Sequence, residues 1–217
     1  MSRTSSFAGP AATLVFVAAL VGFGLALPGY SQIAHPVAVL GAKGVPNALG
    51  FNLLGFVLVG ALAVVTTLGL RRRLPDDAGW TLRIGVQLTL LSAAGFAAMG
   101  LLPLDPTDLD NPASSLHATA WMLWWVAFVP GALLVALGLR GRPQWRSLAR
   151  TSSAVALLVL FVALLAVELM PAGIAQRLGY LGWLGWLCVA SVGARGDGYL
   201  QTAGFSATYR GAYTLAS

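Results

Sequence analysis

Charged side chains are scarce in this sequence of 217 residues, which is 9% charged and 58% hydrophobic. A soluble domain carries roughly 25% charged residues, because its surface has to be hydrated. The mean hydropathy of +0.80 agrees with this low charge. The composition therefore excludes the ordinary soluble classes and predicts an integral membrane protein.

Cysteine is almost absent, since Cys188 is the only one in the chain. A disulfide framework and a cysteine-based metal site within the chain are thereby excluded. Acidic residues are also few, with seven against thirteen lysines and arginines. In a soluble protein that excess would suggest a nucleic-acid partner. Here the basic residues lie in short links between apolar runs, so we expect no nucleic-acid partner and interpret them as an orientation signal.

Six apolar runs fill most of the chain. Each is close to the ~20 residues that cross a ~30 Å hydrocarbon core as a helix, whereas barrel strands alternate over about 10 residues. The sequence predicts an all-α polytopic membrane protein, a bundle of about six transmembrane helices within a domain at 1–192. The expected helices lie near 7–27, 46–70, 80–102, 115–139, 151–170 and 172–192.

The first run has features of both a retained helix and a signal peptide. Arg3 precedes it, and Gly24 and Ala26 would suit a cleavage site. The apolar stretch is longer than the usual h-region of about 7–15 residues. We therefore expect a retained first helix.

Positive charges are distributed unequally between the two sides of the predicted bundle. Eleven of the thirteen lysines and arginines fall on one side, and only Lys43 and Arg177 fall on the other. Basic residues accumulate in cytoplasmic loops of membrane proteins. We predict that both termini are cytoplasmic and that 193–217 forms a cytoplasmic tail.

Polar side chains gather on the opposite, outer side of the predicted bundle. Three separate segments bring His35, Asp105 and His117 to the same membrane depth. Ionisable groups at a membrane edge are costly to keep and are functional candidates. These three residue types would suit a zinc site with one open position, or general acid–base catalysis on an ester or amide. They are our candidate catalytic residues and metal ligands, with zinc as the candidate cofactor.

The same three residues also have structural interpretations. His35 could bond a loop carbonyl, and Asp105 could start a turn by accepting a bond from the backbone two residues on. His117 continues into an aromatic stripe with Trp121, which is typical of packing or of a membrane-interface belt.

A second set of outer residues could bind a ligand: Tyr30, Trp121, Glu168, Gln176 and Arg177. Gln176 and Arg177 could fix an outer loop or bind an anionic lipid headgroup. Glu168 could instead pair with Arg177 or lie at the end of a helix with its head in water.

Short segments in a fixed order carry a family resemblance. They are Tyr30, 35–41 (HPVAVLG), 51–52 (FN), 100–106 (GLLPLDP), 116–117 (LH), 173–177 (GIAQR) and 182–183 (GW). This pattern resembles the domain of unknown function 998 family, bacterial six-helix membrane proteins distantly similar to the Frag1/DRAM/Sfk1 proteins.

The resemblance covers roughly 10–192 and implies a multi-pass protein of the bacterial inner membrane. It also implies an outer cluster of His35, Asp105, His117, Gln176 and Arg177, but no activity. Ala38 stands where the family often has serine, so a serine nucleophile at that position is unsupported.

Three functions fit these observations. The first is a non-enzymatic membrane protein that binds a lipid or apolar small molecule, or serves as an accessory subunit of a membrane complex. The second is an intramembrane metal-dependent hydrolase acting on a lipid ester or amide. The third, a small-molecule transporter, is weaker because the chain shows no repeated halves. The expected partners are membrane lipids and other membrane-protein subunits.

Geometry distinguishes the first two functions. A hydrolase requires His35, His117 and one carboxylate to converge on a shared metal or water. A binding or accessory protein instead requires Gln176, Arg177 and the histidines to satisfy the backbone of the loops.

Overall fold

Long α-helices make up most of residues 4–192, the part of the chain that the computed structural model describes. The six long helices of this part are α1 (Thr4–Ala26), α2 (Ala48–Arg72), α3 (Trp80–Leu101), α4 (Pro112–Gly138), α5 (Arg146–Leu164) and α6 (Ala172–Val192). Shorter helical segments cover Val37–Gly41, Pro143–Trp145 and Ala166–Leu169. Residues 4–192 contain no strand, so the predicted all-α class is confirmed. The predicted tail at 193–217 lies outside the described residues.

Five of these helices are long and apolar enough to cross a membrane. They span Ser6–Ala26, Ala48–Arg72, Trp80–Leu101, Pro112–Gly138 and Pro143–Leu164. The sixth, α6, carries Gln176 and Arg177 in its first two turns and is not among them. The described part of the chain is therefore compatible with a multi-pass integral membrane protein.

Two helices differ from their predicted bounds near the same end of the bundle. Helix α4 begins at Pro112 rather than 115, because the Asn111 side chain accepts a hydrogen bond from the Ser114 N–H at 2.9 Å and caps the helix. Helix α5 ends at Leu164 rather than 170. A separate helical turn and an extended Met170 precede Pro171, which cannot continue a helix.

The helices form a closed ring in chain order. Each of α1 to α5 contacts the next helix, α6 returns to contact α1, and α2 also contacts α6 across the ring. The backbones of α3 and α4 approach each other closely. There a Cβ on Gly85 would lie 2.8 Å from the Val135 nitrogen, and a Cβ on Gly131 would lie 3.0 Å from the Thr89 nitrogen. Small residues at such crossings let two membrane helices meet closely.

Buried aromatic rings fill the centre of the ring of helices. Phe96 stacks on Trp183 with ring centroids 4.5 Å apart, and its other faces meet Tyr180 at 5.3 Å and Phe16 at 6.0 Å. These rings come from α1, α3 and α6. Offset-stacked and edge-to-face rings stabilise such a core beyond the area they bury.

The two ends of the bundle differ in their polar residues. We call one the lid end; it consists of the 27–47 link, the 102–111 link and the start of α6. We call the other the arginine end; it consists of the 73–79 and 139–145 links with the helix turns beside them. The described part of the arginine end carries eight arginines and two aspartates, whereas the lid end carries one lysine, one arginine and three aspartates.

Candidate functional site

Arg177, in the second turn of α6, is the centre of the polar network at the lid end. Its Nε donates to Gln32 Oε1 at 3.0 Å, and Nη2 donates to the same oxygen at 2.6 Å and to Tyr30 Oη at 2.7 Å. Its Nη1 donates to the His35 carbonyl at 3.0 Å and to the Gly173 carbonyl at 2.7 Å. All five N–H groups of the guanidinium are therefore used, and every acceptor is neutral.

The 27–47 link is folded to present those acceptors. Gln32 is held from its other end, because its Nε2 donates to the Leu20 carbonyl of α1 at 3.0 Å. The Tyr30 ring lies beneath the guanidinium, with Arg177 Cζ 5.8 Å from the ring centroid. Partial burial raises the pKa of Tyr30, while the charge and hydrogen bond of Arg177 oppose that rise. Tyr30 therefore stays a neutral phenol at physiological pH.

A second set of bonds holds the link against α6 and α2. Gln176 Oε1 accepts a hydrogen bond from the Val37 N–H at 2.9 Å, at the start of the short helix Val37–Gly41. Asn52 donates its amide Nδ2 to the Gly41 carbonyl at 2.9 Å, at the end of that short helix. The link thus covers the lid end of the bundle, fixed to two helices through its backbone.

His35 and His117 are each engaged with backbone rather than with each other. The Nδ1 of His35 accepts the Ser31 N–H at 3.0 Å, within one turn of the link. His117 is buried, with an exposed fraction of 7%, and its Nδ1 donates to the Leu102 carbonyl at 2.8 Å. Its ring packs against Phe56 with centroids 6.3 Å apart.

Asp105 forms the turn that its position before a proline predicts. Its Oδ1 accepts from the Thr107 N–H at 3.1 Å and from the Thr107 hydroxyl at 2.7 Å. These hydrogen bonds from Thr107 are the main reason that the pKa of Asp105 lies below its usual value, and Lys43, at 3.8 Å from Oδ2, adds to the effect. The carboxylate is thus occupied by the 102–111 link itself.

The predicted zinc site is not supported by this geometry. Residues 4–192 contain no group of three or more His, Cys, Asp or Glu side chains that could hold a metal ion. The candidate ligands His35, Asp105 and His117 are directed to separate backbone or turn partners instead. We therefore derive no metal-dependent step from these residues.

Two further candidates lie apart from the Arg177 network. Glu168 is exposed in the helical turn Ala166–Leu169, and no ion pair joins it to Arg177 in the described part of the chain. Of the two structural interpretations of Glu168, the pair with Arg177 is therefore not formed, because four neutral oxygens already accept all five guanidinium N–H groups. Trp121 packs against Trp125 on α4, with ring centroids 6.2 Å apart.

An apolar cleft of about 500 Å³ lies beside this network, between α1 and α2. On α1 its wall is made of small residues at helical spacing, among them Ala18, Gly22 and Ala26. On α2 the wall includes Leu54 and Leu58, which are 45% and 39% exposed and so reach the outer surface of the bundle. The volume is within the roughly 300–1,000 Å³ of small-molecule pockets.

The α2 wall of the cleft has an unusual backbone. Residues Asn52–Leu58 form a π-helix inside α2, and Asn47 just before α2 has a left-handed backbone with φ +61°. A π segment replaces i→i+4 bonding by i→i+5 and often marks a functional site. Since Asn52 starts this segment and also holds the Gly41 carbonyl, the cleft and the lid end are connected through one residue.

The comparison with protein families agrees with this architecture. The model of the DUF998 family, described as a protein of unknown function, matches residues 10–193. The chain belongs to the DUF998 family. The match includes most of α1, the five other long helices and both links of the lid end, and it confirms the resemblance drawn from the sequence. No curated protein and no solved structure matches the chain.

The cleft between α1 and α2 was not predicted from the sequence. The small residues Ala18, Gly22 and Ala26 are the signal that could have indicated it, because they leave space on one face of α1. In a membrane helix that spacing ordinarily indicates close helix packing. Here the opposite wall is the π segment of α2, and the space between the two helices stays open.

Proposed function

We propose that this DUF998 protein is a non-enzymatic, multi-pass membrane protein that binds a lipid acyl chain in the cleft between α1 and α2. The observation that carries the proposal is the cleft itself, which is apolar, is about 500 Å³ in volume and reaches the outer surface through Leu54 and Leu58. A lipid acyl chain that enters the cleft would exchange its contacts with other lipid chains for contacts with α1 on one side and α2 on the other.

The polar network supports binding rather than catalysis as the role of the lid end. The donors of Arg177 are occupied by neutral oxygens, and His35, Asp105 and His117 bond backbone and turn groups. A hydrolase would need several of these groups directed at one reacting atom. In our proposal, the Arg177 network holds the 27–47 link in place, and the link fixes the end of the cleft that is nearest the lid end.

The proposed orientation places the arginine end in the cytoplasm and the lid end outside, in a bacterial inner membrane. Eight arginines lie at the described part of the arginine end, and basic residues accumulate on the cytoplasmic side of membrane proteins. All six long helices would then cross the bilayer, with Arg177 at the outer interface. The cleft would open to the outer half of the bilayer.

Filling the cleft tests the proposal. A Cβ on Gly22 would meet no atom of the described residues within 4 Å, so the side chain of Gly22→Leu would enter cleft space from an open position. The matched control is Gly185→Leu on α6, because a Cβ there also meets nothing within 4 Å and Gly185 does not line the cleft. Both changes add the same apolar side chain to a membrane helix.

The measurement is photo-crosslinking by a phosphatidylcholine that carries a diazirine in its acyl chain, with the labelled peptides identified by mass spectrometry. We expect the wild type and Gly185→Leu to be labelled preferentially at 15–26 and 47–58. Gly22→Leu should lose at least about half of that labelling, since its side chain occupies the space. Uniform labelling of all lipid-facing helices, unchanged in Gly22→Leu, would contradict the proposal.

A further inference from the structure

We propose that a second groove, at the arginine end, binds the phosphate headgroup of an anionic phospholipid. This headgroup groove has a volume of about 880 Å³ and lies between the end of α2 and the start of α3. Its polar lining includes Arg71, Arg72, Asp76 and Arg83, and its apolar lining includes Ile84 and Leu88. It lies at the opposite end of the bundle from the acyl-chain cleft, so a result that contradicts one proposal leaves the other unaffected.

The arginines of the groove have free hydrogen-bond donors. Arg71 and Arg72 are exposed and have no partner among residues 4–192. Arg83 is held in place by one bond, from Nε to the Ala78 carbonyl at 2.9 Å, and its two terminal nitrogens have no partner in the same residues. Among the described residues, Asp76 is the one acid that lines the groove. Three guanidinium groups against one carboxylate leave an excess of positive charge for an anion.

Neighbouring arginines show what a structural role would look like. Arg73 donates to the carbonyls of Gly69, Ala190 and Ser191, and so joins α2 to the end of α6. Arg142 makes a two-bond pair with Asp77, at 2.8 and 3.0 Å. Arg71 and Arg72 make no comparable contact with any other residue of 4–192. A guanidinium that binds no protein group is available to bind phosphate through paired N–H donors.

The other wall of the groove is apolar and indicates a lipid rather than free phosphate. Ile84 and Leu88 follow Arg83 along α3 and lie deeper in the membrane-spanning helix, and Ile84 is 48% exposed. Trp80, at the start of α3, is 80% exposed. Tryptophan at this depth is typical of the membrane–water interface. The uncapped start of α3, at Gly79, adds partial positive charge beside the arginines.

Charge and apolar surface are therefore arranged in the order of a phospholipid. The phosphate would lie against Arg71, Arg72 and Arg83, and the acyl chains would follow Ile84 and Leu88 into the bilayer. Basic pockets between transmembrane helices bind anionic headgroups in this way.

The test uses the full chain purified in detergent and native mass spectrometry of bound lipid. The probes are phosphatidylglycerol and phosphatidylcholine with identical acyl chains. The variant Arg72→Gln/Arg83→Gln removes two groove charges, and the control Arg146→Gln/Arg150→Gln removes two charges from the other arginine cluster of the same end. We expect the groove variant to weaken phosphatidylglycerol binding about 30-fold and the control by no more than about twofold.

A third variant tests the apolar wall with every arginine in place. Ile84→Gln is expected to lower phosphatidylglycerol affinity about threefold, because it replaces apolar surface under the acyl chains. An affinity that Ile84→Gln leaves unchanged would overturn the lipid assignment.

Three other results would overturn the proposal as well. Equal binding of phosphatidylcholine would show that the headgroup charge is not recognised. An equal loss in both arginine pairs would show only diffuse surface charge. Full displacement of phosphatidylglycerol by inorganic phosphate would show a site for the free anion. Unchanged thermal unfolding of each variant without added lipid separates these results from misfolding.

Discussion

At the lid end, Arg177 donates all five of its N–H groups to neutral oxygens of the protein, whereas at the arginine end Arg71 and Arg72 have no partner within residues 4–192. The same residue type thus fastens a loop at the lid end, whereas Arg71 and Arg72 at the arginine end keep their donors open. The difference follows from the links. The 27–47 link is long enough to fold back over the bundle and supply acceptors, whereas the 73–79 link is a short turn.

The comparison also explains why an arginine needs no acidic partner at the lid end. A guanidinium at a membrane edge is costly to dehydrate unless its donors are satisfied. Two backbone carbonyls, an amide oxygen and a phenol oxygen satisfy Arg177 together. A carboxylate would have neutralised the charge, but it could not have joined three positions of the 27–47 link to α6 at once.

The largest expected effect comes from removing that fastening. Arg177→Met removes the donor to Tyr30, Gln32 and the Gly173 carbonyl in partly buried bonds, and to the His35 carbonyl in an exposed one. We expect a loss of about 3 kcal/mol in the free energy of unfolding and a fall in Tm of about 10 °C in detergent. Arg177→Lys should lose most of the same stability, because an ammonium has three donors and cannot match the planar fork.

The matched control for Arg177 is at the other end. Arg150 is exposed and has no partner among the described residues, so Arg150→Met should change stability by no more than about 0.5 kcal/mol. The measurement is the Tm of Arg177→Met, Arg177→Lys and Arg150→Met, each compared with that of the wild type. Equal losses in Arg177→Met and Arg150→Met would remove the distinction between the two ends.

Several features of this comparison could be predicted from the sequence. The apolar runs predict the helices, because each contains enough apolar residues to cross a bilayer and few charges. Helical alternation then places Tyr30, Gln176 and Arg177 at one end, whatever the packing. The turn at Asp105 is also local, since its carboxylate bonds the backbone of Thr107 two residues on.

The partners of those residues could not be predicted, because they depend on how the links fold in three dimensions. Charge complementarity favoured a Glu168–Arg177 pair, yet the acceptors of Arg177 are oxygens of the 27–47 link and of its own helix. Ligand chemistry favoured a His35–His117 site, yet Nδ1 of each ring bonds a backbone group of a link. One wall of the cleft is the π segment at Asn52–Leu58, and no residue type in that segment indicates a π-helix.

A smaller effect should come from crowding the contact between α6 and the 27–47 link. A Cβ on Gly173 would lie 2.7 Å from the His35 carbonyl oxygen, and backbone atoms there cannot rotate away. Gly173→Ala should cost about 1–2 kcal/mol, since the strain exceeds the gain in helix propensity. Gly185→Ala, on the same helix in open space, should be neutral or slightly stabilising. A Tm for Gly173→Ala at or above that of Gly185→Ala would contradict this account.

The smallest expected effect is a dependence on pH that separates the two ends. The exposed Asp77–Arg142 pair joins the two links of the arginine end, and hydrogen bonding from Arg142 lowers the pKa of Asp77 below its ordinary value. A carboxyl group with a lowered folded-state pKa stabilises the fold fully above its unfolded pKa of about 4. That stabilisation is lost as the pH falls through the lower folded-state pKa. The Tm difference between the wild type and Asp77→Asn should therefore shrink between pH 7 and about pH 3.

The Arg177 network should behave differently over the same range. Its acceptors are carbonyl, amide and phenol oxygens, and the pKa of the Tyr30 phenol is raised further from neutrality. None of them gains or loses a proton between pH 7 and about pH 3. The Tm difference between the wild type and Arg177→Met should therefore stay constant while that of Asp77→Asn shrinks. A lid-end difference that also shrank with acid would mean that an ionisable side chain contributes to holding Arg177, contrary to the neutral acceptor set.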